Sequence, residues 1–139
     1  MRVHWTLPLG AFVFGQGRIV PGFWLGFFLV ILLHEIGHAR LVRRYRCKVV
    51  SIDIHALGGQ CRWAGDATPI QRARIAGGGV KVQIVLLFAT VIAISLLGPA
   101  GTPFLDQLVD AFTTVNGMLI VLNLIPVPPL DGVEIWKRR

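Results

Sequence analysis

From Ile19 to Leu33 the chain carries no polar or charged side chain, and this run ends directly on His34-Glu35-Ile36-Gly37-His38. A stretch that apolar can lie in a bilayer only if every backbone N–H and C=O is satisfied within it, which leaves the helix. On a helix, positions four apart share a face, so His34 and His38 point the same way. Two imidazoles at that spacing are placed to hold one metal ion. Glu35, one residue round, is placed as a general base toward an attacking water. Ionisable side chains at the end of a membrane-type run are costly, and they default to function.

The composition supports a bilayer as solvent. Hydrophobic residues make up 54% of the 139 residues and charged residues 15%, with mean hydropathy +0.66. Soluble domains carry about 25% charged residues. The length suits one compact unit, so residues 1–139 are expected to form a single membrane-embedded domain. The net charge of +7 is unevenly spread: eight of the 14 Lys and Arg fall between Arg40 and Arg74, and Lys137-Arg138-Arg139 follow at the end. Basic residues that flank apolar runs fit an anionic cytoplasmic leaflet better than nucleic acid. Cys47 and Cys61 form no C-x-x-C pair and read as reduced, structural thiols. Pro8 and Gly10 interrupt the first apolar stretch, and no small-residue cleavage site follows it, which argues against a cleaved signal peptide.

Residues 3–15 are apolar but fall short of the roughly 20 residues a straight span needs. Residues 1–18 are therefore expected to be interfacial or re-entrant, with His4 an interfacial side chain. The first span is expected from about Phe23 to Arg44. Trp24 suits the interfacial belt, and Arg40, Arg43, Arg44, Arg46 and Lys48 mark the far end as cytoplasmic. Residues 48–66 change period: Val50, Ile52 and Ile54 alternate with Ser51, Asp53 and His55, a strand signature. Gly58-Gly59 is expected to turn the chain, Gln60 to Trp63 to return as a second strand, and Asp66, Thr68 and Pro69 to lie in a loop.

The second span is expected from Ile75 to Leu97. Gly77-Gly78-Gly79 suits close helix packing, and Lys81 either snorkels to the basic side or faces a watery cavity. The third span runs from Leu105 to Ile125, with Asp106 and Asp110 at its outer end and Asn116 and Gly117 turned toward other helices. Pro126, Pro128 and Pro129 then end regular helix. Broken backbone at that depth must be buried by protein or reached by water, so this segment is expected to wall a cavity. One crossing out and one back return it to the side that holds His34 and His38. The expected architecture is an all-α, multi-pass protein of the cell membrane. It has a three-helix transmembrane core and a short β-hairpin insert between the first two core helices.

A catalytic zinc takes three protein ligands and keeps one position open. With His34 and His38 as two, the candidates for the third are Asp53, His55, Asp66, Asp131 and Glu134. Asp106 and Asp110 lie at the wrong membrane face. Asp131 is preferred, because the unwound segment delivers it to the right depth; His55 is the alternative, on a strand that could fold back.

With these residues the chain resembles the site-2 protease family of intramembrane zinc metalloproteases. The resemblance rests on His34-Glu35-Ile36-Gly37-His38 in a membrane helix, on Asn123, and on Pro128-Pro129-Leu130-Asp131-Gly132, and it covers about residues 19–135. It implies that His34, His38 and Asp131 bind Zn2+ and that Glu35 activates water. Asn123 would polarise the scissile carbonyl or steady the oxyanion, where the bland alternative is a helix–helix hydrogen bond. The strand from Ile52 to His55 would pair with an unwound segment of a transmembrane protein substrate. Val133 and Glu134 stand where the family often has Gly and Arg, and Gly78, Gly79 and Gln83 where it often has an Ala-Gly-Pro-type turn and Asn. With so little chain after Asp131-Gly132, the sequence reads as a minimal core or an incomplete one. Two other classes compete: a silent membrane adaptor that keeps the metal site for structure, and a soluble zinc peptidase with a buried apolar core.

Overall fold

A computed structural model of the chain describes residues 1–56 and 58–137; Arg138 and Arg139 of the basic tail lie outside the described residues. The elements are β1 (Arg2–Val3), α1 (Leu7–Phe14), α2 (Pro21–Arg44), β2 (Lys48–His55), β3 (Gly58–Ala64), α3 (Pro69–Leu97), α4 (Pro103–Asp110), a π-helical turn (Ala111–Val115), α5 (Asn116–Leu124) and α6 (Gly132–Ile135). Helices α2, α3 and the continuous run Pro103–Leu124 are long and apolar enough to cross a bilayer. The fold is the expected three-helix membrane core with a strand insert between α2 and α3.

Helix α2 sits at the centre. Pro21 opens it, where a missing N–H costs nothing, and Arg43 and Arg44 close it against the negative end of the helix dipole. Its buried residues include Phe23, Phe27, Val30, Ile31, His34, His38 and Val42, so the histidines continue the stripe that packs the core. That core joins Phe27, Val30 and Ile31 to Ile54 of β2 and to Ala111, Val115 and Leu119 of the third span.

Helix α3 begins six residues before the expected Ile75. Thr68 and Gln71 form a reciprocal cap: Thr68 Oγ1 accepts the Gln71 N–H at 3.3 Å, and Gln71 Oε1 accepts the Thr68 N–H at 2.9 Å. Two orphan amides are thereby satisfied, and Pro69 becomes the first helical residue rather than loop. Helices α2 and α3 touch backbone to backbone at Gly37 and Gly78, where a Cβ on Gly78 would lie 2.8 Å from the Gly37 carbonyl oxygen. Lys81 is exposed on the outer side of α3 and lines none of the cavities around the histidines, which leaves the snorkelling reading.

The π-helical turn in the third span was not expected. Just beyond it, Asn116 is fully buried and donates from Nδ2 to the Gln83 carbonyl of α3 at 2.9 Å, as a residue facing other helices should. Gly117 does not share that role, since a Cβ there would meet nothing within 4 Å.

The insert is a three-stranded sheet in the order β1-β2-β3, not a two-stranded hairpin alone. β1 runs parallel to β2, pairing Arg2 with Asp53 and Val3 with Ile54, and the His4 N–H donates to the Ile54 carbonyl at 2.7 Å. α1 follows, burying Ala11 and packing Phe14 against Phe27 of α2 with the rings tilted and their centroids 5.4 Å apart. β2 and β3 are antiparallel, and a bulge between Val49 and Ser51 ejects Val50, which is 63% exposed, while Ile54 is fully buried. The alternation therefore holds for Ile52 and Ile54 but not for Val50. Gly58 and Gly59 belong to β3, so the turn falls before them. One expectation is overturned by this topology. The β2 edge around Ile52 to His55 cannot receive a substrate strand at Asp53 and Ile54, because β1 and His4 already occupy it. The outer edge of β3 carries no strand partner along its length among the described residues.

Candidate metal centre

Three donor atoms converge where α2 meets the proline-broken segment. His34 Nε2 and His38 Nε2 lie 2.9 Å apart, and Asp131 Oδ2 lies 3.0 Å from the first and 3.1 Å from the second. Helical spacing brings the two rings together, edge to face with centroids 4.6 Å apart. Asp131 arrives by a different route. α5 stops at Leu124, the prolines carry the chain on without helix, and Gly132 packs on the Ile125 backbone so closely that no side chain would fit. Trp136 Nε1 donates to the orphan Leu124 carbonyl at 2.8 Å and ties the returning segment to the end of α5.

The proton inventory shows what this triangle requires. His38 Nδ1 faces the Ile75 carbonyl at 2.8 Å, and His34 Nδ1 faces Gln83 Oε1 at 2.9 Å. Both partners are acceptors, so each neutral ring carries its proton on Nδ1 and turns the Nε2 lone pair inward. Two lone pairs and a carboxylate oxygen then face one another with no hydrogen between them, and no hydrogen-bond donor reaches Asp131 Oδ2. A cation resolves that conflict. Tetrahedral zinc with ligands at about 2.0–2.1 Å separates them by about 3.3 Å, close to the observed 2.9–3.1 Å. The donor set therefore fits zinc.

Glu35 is the competing carboxylate, since His34, Glu35 and His38 each offer a ligand atom within 4.8 Å of the others. Asp131 contacts both rings at 3.0 and 3.1 Å, and Glu35 makes no such contact. Glu35 is 1% exposed, with neither oxygen hydrogen-bonded, and it faces β3, where Gly59 leaves it room that any side chain would take. A cavity of about 630 Å³ runs from Glu35, His38 and Asp131 past Cys61, Trp63 and Arg72 toward the basic end of α2. A second, of about 280 Å³, lies on the other side of the centre and is lined by Ile31, His34, Gln83, Leu119, Asn123 and Asp131, among others. Asn123 thus opens onto the same centre.

The remaining candidates go elsewhere. Asp53 accepts from Ser51 Oγ at 3.1 Å and lies 3.6 Å from Arg62 Nε, and Glu134 pairs with Lys137 at 3.1 Å. Asp66 is exposed. His55 lines the smaller cavity without joining the triangle. Reasoning from sequence did not assign the groups that orient the rings: Gln83, the Ile75 carbonyl, and Gly79, whose missing side chain makes space for the His34 imidazole. A lone glutamine inside an apolar span was the available signal for Gln83.

Fold and centre together define an architecture, a zinc-fitting donor set held between membrane-type helices. Relatives agree. Rip3 of Mycobacterium tuberculosis, provisionally named a zinc metalloprotease, is 29% identical over all of this chain and 42% of its own length. The zinc metalloprotease MJ0392 of Methanocaldococcus jannaschii is 31% identical over 83% of this chain and 34% of its own. The solved site-2 protease from M. jannaschii superposes with a TM-score of 0.74 at 26% identity, covering 96% of this chain and 63% of that one. No family model matches. The chain is thus similar in sequence to zinc metalloproteases and in fold to a site-2 protease, and it spans about two-fifths of the length of the curated relatives it matches.

Proposed function

We propose that the chain forms the zinc-bearing core of an intramembrane endopeptidase that hydrolyses peptide bonds within or near transmembrane segments of its substrates. The observation that carries this is the meeting of His34, His38 and Asp131 with their lone pairs turned inward, beside an unpaired, buried Glu35. In this reading the three residues hold the ion. When bound, zinc polarises the scissile carbonyl and makes water acidic enough to attack near neutral pH. Glu35 takes the proton from the attacking water and delivers it to the departing amine. Asn123 offers its amide to the developing oxyanion from the smaller cavity.

A peptide bond inside a helix is shielded, so the substrate must first be opened. The free edge of β3, which borders Glu35 through Gly59, is the place where an extended segment could pair. Arg40, Arg43, Arg44, Arg46 and Lys48 set their end of the bundle at the cytoplasmic leaflet and hold it to anionic lipid.

The test is cleavage of single-span substrates by the detergent-purified, zinc-loaded chain. Glu35→Gln should lower the rate by about 10²–10⁴-fold while zinc content stays unchanged. Full activity in Glu35→Gln removes Glu35 from the mechanism; no cleavage by wild type across a broad substrate panel favours the adaptor.

A further inference from the structure

The two cavities that flank the centre differ in chemistry. The smaller is walled by Ile31, Leu119 and Leu130 together with His34 and Asn123. The larger, on the side of the basic end of α2, carries Arg62 and Arg72. Both guanidinium groups are weakly compensated. Arg72 lies over the Trp63 ring at 5.2 Å and donates from Nε to the Ala67 carbonyl at 3.2 Å, and no carboxylate pairs with it among the described residues. Arg62 approaches Asp53 only to 3.6 Å. Of the acids on the same wall, Asp131 is committed to the histidines and Glu134 to Lys137, while Glu35 is buried at the inner end against Gly59.

We propose that Arg72, assisted by Arg62, makes the larger cavity a reader of acidic residues in the substrate flank on the cytoplasmic side of the scissile bond. This rests on the peptidase reading above. Its consequence is selectivity, because ordinary spans carry Lys and Arg on that flank and would meet two like charges beside the centre. Trp63 lies against the Arg72 guanidinium at 5.2 Å, and only Nε is engaged, with the Ala67 carbonyl, which leaves the terminal N–H groups for a carboxylate. The apolar part of the same substrate would lie in the smaller cavity.

The experiment uses the full zinc-loaded chain in zwitterionic nanodiscs and two fluorescent single-span peptides that differ only in the cytoplasmic flank, Asp-Glu-Asp or Lys-Arg-Lys. Binding is read by anisotropy and cleavage by product analysis. The acidic flank should bind about tenfold tighter, Arg72→Gln should abolish the preference, and Arg72→Glu should reverse it, all with zinc content unchanged. Equal binding of the two peptides, or a preference that survives Arg72→Glu, overturns the proposal. So does an Arg72-dependent effect seen only when anionic lipid is added, which would make the cavity a headgroup site. A flank preference without cleavage of either peptide upholds the recognition and removes the peptidase reading; equal affinity with equal cleavage does the reverse.

Discussion

Each histidine of the centre has two contacts, and the outer one decides what the inner one can do. Gln83 accepts the Nδ1 proton of His34, and its own backbone carbonyl is held by Asn116, so three elements agree on one ring orientation. Gln83→Leu should therefore weaken zinc binding by about 10–100-fold with the fold retained, read by competition against a metal chelator; unchanged affinity would show that ring packing alone orients His34. Cys61 lines the same cavity as Glu35 but is not available for chemistry. Burial pushes its thiol up to about 11, the nearby Glu35 carboxylate adds to the effect, and Arg43 only partly opposes it. A raised thiol pKa means less thiolate at a given pH. Alkylation of Cys61 near pH 8 should run about 100-fold slower than for an ordinary cysteine, accelerating as pH climbs toward 11 and on unfolding. Labelling at the ordinary rate in the folded protein would contradict this.

Among the elements, the α2–α3 contact bears most directly on the site, because it brings Gln83 and the Ile75 carbonyl to the two rings. That contact depends on Gly37 and Gly78 having no side chains. Gly78→Val should cost about 1–3 kcal/mol by overpacking and loosen zinc as the helices part; thermal unfolding in detergent with zinc titration measures both. A variant as stable as wild type would mean the helices can slide without penalty. How far each element could be read from sequence follows from how local its cause is. The i, i+4 histidines and the proline break carry their meaning within a few residues, so α2 and the approach of Asp131 were legible. The start of α3 was local as well, but Thr68 and Gln71 look like loop residues until their reciprocal cap is recognised. β1 was not legible, because two residues have no period, and it is β1 that covers Asp53 and Ile54 on the β2 edge. Gln83 was visible as a polar residue in an apolar run. Its partner lies 49 positions away, beyond the reach of any periodicity.

For the molecule as a whole, the three long helices serve one geometric end. They bring a carboxylate from residue 131 to two imidazoles near residue 36, inside a bundle that exposes apolar side chains such as Val85, Phe88 and Ile92. Loop charge and the proline break place Asp131 at the same end as the histidines, and the distances of 3.0 and 3.1 Å agree with that placement. The measurement that tests this most directly is zinc stoichiometry and affinity of the detergent-purified chain, wild type beside His38→Ala and Asp131→Ala. Wild type should hold one zinc per chain, His38→Ala should lose it, and Asp131→Ala should bind it at least about tenfold more weakly. Undiminished zinc affinity in Asp131→Ala would mean that the third ligand lies elsewhere, and the proposed centre would be wrong.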